Sequence, residues 1–158
     1  MQSRRSFNTA ALFFGLGTAA LSLARSLQAQ SAGEIPKSAL LQPAELAALL
    51  RTSSKPLILQ VGSHQLFNEA HIPNSQYAGP GSSEAGLASL ESRLKPLPRT
   101  QPIVLYCGCC PWTKCPNIRA AYANAVKLGF TQVKALYIPQ DYGTDWVDKG
   151  YPSTSVKA

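Results

Sequence analysis

Cysteine is missing from this chain except in one nine-residue segment, since all four fall between Cys107 and Cys115. That placement excludes a disulfide scaffold spread through the fold, the usual staple of small exported domains. Charge is thin as well. Only 15% of residues are charged, with no run of Lys or Arg and no alternation of basic and aromatic side chains, which excludes nucleic acid as the expected partner. No apolar run reaches the roughly 20 residues that cross about 30 Å of hydrocarbon; the longest, Thr9 to Ala24, has 16. Internal repeats and low-complexity tracts are absent too, so nothing calls for a second domain.

What is present begins with a leader. Met-Gln-Ser-Arg4-Arg5-Ser-Phe7 precedes the uncharged run, and Arg25 follows it, the layout of an export signal with a twin-arginine address rather than a membrane anchor. Small residues at Ala29 and Ala32 offer cleavage points. The expected organisation is a signal peptide over 1–29, a flexible lead-in over 30–38 and one domain over 39–154. The product is expected in the periplasm or otherwise outside the cytoplasm, without stable membrane insertion. Three of the 15 Lys and Arg leave with the leader, so the formal charge of +7 falls to 12 bases against 8 acids, an ordinary solvated surface.

Hydrophobic spacing then predicts alternating elements. Pro43 to Arg51 sets Leu46, Leu49 and Leu50 at helical intervals, with Pro43 suited to the first turn. Leu57 to Val61 reads as a buried strand, His64 to Ala70 as a short helix, and Ser75 to Ala78 as a short strand after the Pro73-Asn74 turn. Glu84 to Lys95 is predicted helical and is stopped by Pro96 and Pro98. Ile103 to Tyr106 is the most strand-like segment, Asn117 to Leu128 carries an apolar helical face, and Gln132 to Ile138 is a further strand. Parallel strands need crossovers that helices usually supply, so the pattern predicts an α/β fold with a central, mostly parallel sheet and helices on both faces.

Within that frame the segment Cys107-Gly-Cys-Cys-Pro-Trp-Thr-Lys-Cys115 ends one strand and precedes a helix. Function in parallel α/β folds concentrates at the carboxyl ends of strands, where a helix start turns N–H groups and positive dipole into the loop. A thiol so placed loses its proton more easily, and the thiolate is the nucleophile. Cys107 is therefore the candidate catalytic residue.

The strand Ile103-Val-Leu-Tyr-Cys107 resembles that of the rhodanese-like family, which ends in the active cysteine. His71-Ile-Pro-Asn74, Leu128-Gly-Phe-Thr-Gln-Val133 and Trp146 with Gly150-Tyr-Pro152 resemble further motifs of that family in the same order. The resemblance implies a single rhodanese-like domain and a thiosulfate sulfurtransferase-like enzyme. Cys107 would take the outer sulfur of a small donor, hold it as a persulfide and pass it to a thiol acceptor. It also implies a binding loop of Gly108, Cys109, Cys110, Trp112, Thr113, Lys114 and Arg119, whose amides from Gly108 to Thr113 would cradle the sulfur while Lys114 or Arg119 added positive charge. Cys109, Cys110 and Cys115 would modulate or resolve the site, and His71 would be a packing histidine. The chain departs from the family in having Gln60-Val61-Gly62 where an Asp-x-Arg is usual, in its longer loop, and in its extra cysteines.

Other chemistries remain open on these residues. Two structural disulfides within nine residues would close very small loops and gain little entropy; a resolving bridge from Cys107 to Cys109, Cys110 or Cys115 fits better. No cofactor is expected in the favoured reading, but thiolates select soft metals, so Cys107, Cys109, Cys110 and Cys115 are alternative ligands for copper or zinc. A rhodanese-like binding module without chemistry is a third possibility. A phosphatase or arsenate-reducing loop would resemble Cys-x5-Arg, and position 113 is Thr. Asp141, Asp145 and Asp148 are spaced irregularly and read as solvated or helix-start acids.

Overall fold

The computed structural model describes residues 33–156. The leader predicted over 1–29 lies outside them, and no helix among the described residues is long and apolar enough to cross a membrane. The order is β1 (Leu40–Leu41), α1 (Pro43–Leu49), β2 (Leu57–Gln60), α2 (His64–Glu69), β3 (Gln76–Tyr77), α3 (Glu84–Leu94), β4 (Ile103–Tyr106), α4 (Pro116–Lys127) and β5 (Val133–Leu136). Single 3₁₀ turns sit at Lys37–Ala39 and Trp112–Lys114, and a π-helical turn at Gly143–Val147.

All five strands are parallel, in the order β1-β5-β4-β2-β3. The sheet is thus wholly parallel where the pattern predicted mostly parallel. β4 lies at its centre, and its Ile103-Val-Leu-Tyr106 is buried throughout, because a central parallel strand is covered on both faces. Alternation along it divides the core. Ile103, Leu105 and then Cys107 pack with Leu90 and Leu94 of α3 and with Ile118, Ala121 and Ala125 of α4. Val104 and Tyr106 face the other way, onto Leu46 and Ala47 of α1 and onto Tyr142 and Trp146. The sulfur of Cys107 therefore points to the α4 side by strand periodicity alone.

Local chemistry explains the boundaries. Pro43 opens α1, and Gln42 with Glu45 closes a capping box around its first turn. Ser63 and Ser83 cap α2 and α3 through the N–H groups of Leu66 and Gly86. Asp141 caps the π-helical turn through the N–H of Thr144, and Asp145 accepts from the N–H of Gln140, so both act as turn-closing acids. In the lead-in, Ile35 packs into the α3–α4 side of the core.

Candidate functional site

The carboxyl ends of β2 and β4 lie level, with Gln60 paired to Tyr106, and Cys107 follows directly. Gly108 adopts φ 75°, a left-handed conformation that a Cβ disfavours. A Cβ there would also fall 2.7 Å from that of Tyr142, whose N–H donates to the Gly108 carbonyl at 3.0 Å. This turn folds the loop back over the strand end. Its far side is pinned by the Trp112 N–H donating to the Pro139 carbonyl at 3.0 Å and by the Trp112 ring meeting Tyr137 edge-on at 5.1 Å. Trp112 is thus a packing aromatic at the back of the loop.

The fold brings the four sulfurs together and leaves all four unbridged. Cys107 Sγ lies 3.0 Å from Cys109 Sγ, and Cys109 Sγ 3.7 Å from Cys110 Sγ. Cys107 is 5% exposed and Cys115 3%, while Cys109 and Cys110 are half-buried. Two groups that the sequence reading missed complete the site. Asn117, buried in the first turn of α4, donates its side-chain amide to both Cys107 and Cys109 at 3.5 Å and accepts the Ser82 N–H at 3.0 Å. Gln60, buried at the end of β2, donates to the Cys107 carbonyl at 3.3 Å and accepts the Gly62 N–H. Gln60 occupies the place of the family's usual Asp, so its departure from that pattern was the available signal. Asn117 gave none, because its partners come from distant segments.

Gly62 stands at the usual Arg position and clears space. A Cβ there would sit 2.8 Å from Cys107 Sγ. His71 is buried, donates from Nδ1 to the Phe67 carbonyl at 2.6 Å and stacks on the Phe67 ring, which makes it a packing histidine. The neighbouring Ile72 N–H and Ser75 hydroxyl bond the Tyr106 hydroxyl, tying that turn to the end of β4. Burial pushes the Tyr106 phenol up to about 12, and it stays neutral.

Proton distribution differs from the expectation for Cys107. Its thiol is pushed well above the ordinary range, first by donating to Cys109 and then to Cys115, with burial adding to both. Cys115 moves the other way, to about 2: it accepts from Cys107 and Cys109, and from the Ile118 N–H at the start of α4. Cys110 is raised to about 12, chiefly by burial. Cys115 is thus the most acidic thiol of the cluster, chiefly because Cys107 and Cys109 both donate to it.

The cradle is also narrower than expected. The Cys109 N–H faces the Cys107 sulfur, but the Trp112 N–H is spent on Pro139 and the Lys114 N–H on Pro111. Thr113, Lys114 and Arg119 border a separate hollow of about 540 Å³ beside Cys115. Cys107, Gly108 and Cys109 instead line a cleft of about 380 Å³ that also holds Tyr142, Glu69 and Asp141. The basic side chains proposed to greet a donor therefore stand around another opening, and the cleft at Cys107 is edged by carboxylates.

The sequence profile of the rhodanese-like domain matches residues 42–137. No curated protein matches the chain. Among solved structures, the BH2092 protein of Bacillus halodurans is 22% identical with a TM-score of 0.59, over 75% of this chain and 78% of that one. The Alr3790 protein of Anabaena sp. is 19% identical with a TM-score of 0.56, over 73% and 82%. Ygr203w, a yeast protein tyrosine phosphatase of the rhodanese family, is 12% identical with a TM-score of 0.50, over 78% and 96%. At such identities the likeness is one of fold.

Proposed function

The chain belongs to the rhodanese-like domain family, and on that premise we propose that it is an exported sulfurtransferase carrying sulfane sulfur as a persulfide on Cys107. Membership supports a sulfurtransferase-type or related activity. The observation that carries the finer reading is the position of Cys107, at the end of the central strand and among the residues that line a cleft. There its sulfur meets the Cys109 N–H and the Asn117 amide. Such donors favour a negative sulfur where it develops.

The reaction balances without an outside oxidant. The Cys107 thiol, kept protonated by burial and by donation to its neighbouring sulfurs, gives up its proton only as it attacks. The Cys107 sulfur attacks the outer sulfur of a donor persulfide; one S–S bond forms as the donor's breaks, and the donor leaves as a thiolate that recovers the proton. An acceptor thiolate then takes the outer sulfur from Cys107 by the reverse exchange. Glu69 and Asp141 along the cleft disfavour a dianion, so this opening suits a neutral or zwitterionic persulfide better than thiosulfate.

Intact mass tests the reading. The reduced mature chain, exposed to cysteine persulfide and separately to thiosulfate, is expected to gain one sulfur atom that reductant removes, faster from the persulfide. Cys107→Ser is expected to gain none. Absence of a gain from either donor, or a gain that survives Cys107→Ser, overturns the assignment and favours a binding module. Phosphoryl transfer has less support, since Thr113 stands where a Cys-x5-Arg loop needs its arginine and Arg119 borders the other hollow.

A further inference from the structure

We propose that the cysteine loop is also a copper(I) site, with the sulfurs of Cys107, Cys109 and Cys110 as its three ligands. The three Sγ atoms all lie within 4.8 Å of one another. At a metal–thiolate distance of about 2.3 Å, a planar three-sulfur site sets its sulfurs about 4 Å apart; the separations here are 3.0 and 3.7 Å with the third within 4.8 Å, so Cys107 and Cys109 would part by about 1 Å on binding. The donor set is all sulfur: among the described residues no His, Asp or Glu joins the group. Soft thiolates select soft ions, and copper(I) accepts three of them, whereas structural zinc is held by four ligands in a tetrahedron. Cys115 does not belong to the mutually close set.

Two further observations point to a ligand here rather than to ordinary thiol packing. The loop is already shaped, by the left-handed turn at Gly108 and the Trp112–Pro139 hydrogen bond, so binding has little chain to order. Asn117, buried in the first turn of α4, turns its amide onto the sulfurs of both Cys107 and Cys109. That is the outer-shell support which orients ligands and offsets their charge. Access is available through the cleft, which reaches Cys107 and Cys109. On binding, three S–H bonds give up their protons and three copper–sulfur bonds form, and the metal remains copper(I) throughout.

The test uses the reduced mature chain under anaerobic conditions, with copper(I) delivered from a chromogenic chelator. One ion per chain is expected, with three sulfur neighbours by X-ray absorption. Cys107→Ser, Cys109→Ser and Cys110→Ser should each weaken binding by more than about 100-fold, and Asn117→Ala by roughly 10–100-fold, as for loss of an outer-shell partner. Cys115→Ser should stay within about tenfold of the parent, since it removes no ligand. Circular dichroism checks that each variant is folded, and the half-buried Cys109 and Cys110 keep the test decisive if the Cys107 variant unfolds. Absence of stoichiometric copper, equal affinity in the Cys109 or Cys110 variants, equal dependence on Cys115, or tighter binding of zinc than of copper(I) would each overturn the proposal. These readouts follow the metal, so they stand or fall apart from sulfur uptake.

Discussion

The two ends of the sheet make opposite uses of hollow space. At the amino ends of the strands a groove of about 670 Å³ runs past Pro56, Pro102, Ile103, Gln132 and Lys134, with no cysteine among its walls. At the carboxyl ends the cleft is smaller, about 380 Å³, yet it holds Cys107, Cys109 and the backbone turn at Gly108. Size does not mark the chemistry in this molecule. Chain direction does: in parallel sheets the strand ends that open into loops and helix starts collect the reactive groups. The proline-rich amino end only delivers strands into the core.

Four substitutions break or sharpen that contrast. Cys107→Ser should have the largest effect, lowering sulfur uptake by about 10³-fold or more, as expected for loss of a nucleophile, with intact mass as the measure. Trp146→Ala comes next. Its ring is fully buried beside Tyr142, and its indole N–H donates to the Pro152 carbonyl, so urea denaturation should show a loss of about 3–5 kcal/mol. Gly108→Ala should cost about 1–3 kcal/mol through its positive φ. The clash with Tyr142 should also shift the cleft wall and slow sulfur uptake measured against the parent. Lys55→Ala, at the amino-end groove, should change stability by less than about 0.5 kcal/mol and leave sulfur uptake unaltered; slowed uptake there would erase the distinction between the two ends.

Most of the frame was legible in the residues, for reasons that differ from element to element. β4 was plain because four consecutive apolar residues flanked by Pro102 and the cysteine loop leave few alternatives. α3 and α4 were plain because leucine and alanine recur at helical intervals and prolines mark their limits. β1 was missed: two residues at a sheet edge carry no periodicity, and Leu40–Leu41 becomes a strand only by pairing with Ala135 and Leu136. The π-helical turn at Gly143–Val147 was missed too, since its shape follows from the burial of Trp146 and the cap at Asp141. In the site, the position of Cys107 at a strand end was legible from the residues before it, whereas Lys114 and Arg119 were placed beside it by proximity in sequence and stand around another opening.

Sequence alone settled which atoms are available: four thiols in one loop, one of them ending the central strand, followed by a helix. Alternation along the strand also groups Cys107 with Ile103 and Leu105, though which helices cover that face is a tertiary outcome. Only the tertiary structure decided which thiol is the most acidic, which three sulfurs lie mutually close, and that Asn117 and Gln60 attend them. Those outcomes depend on distances of a few ångströms between segments far apart in the chain, and hydrogen bonds and ionisation respond to such distances rather than to order along the sequence.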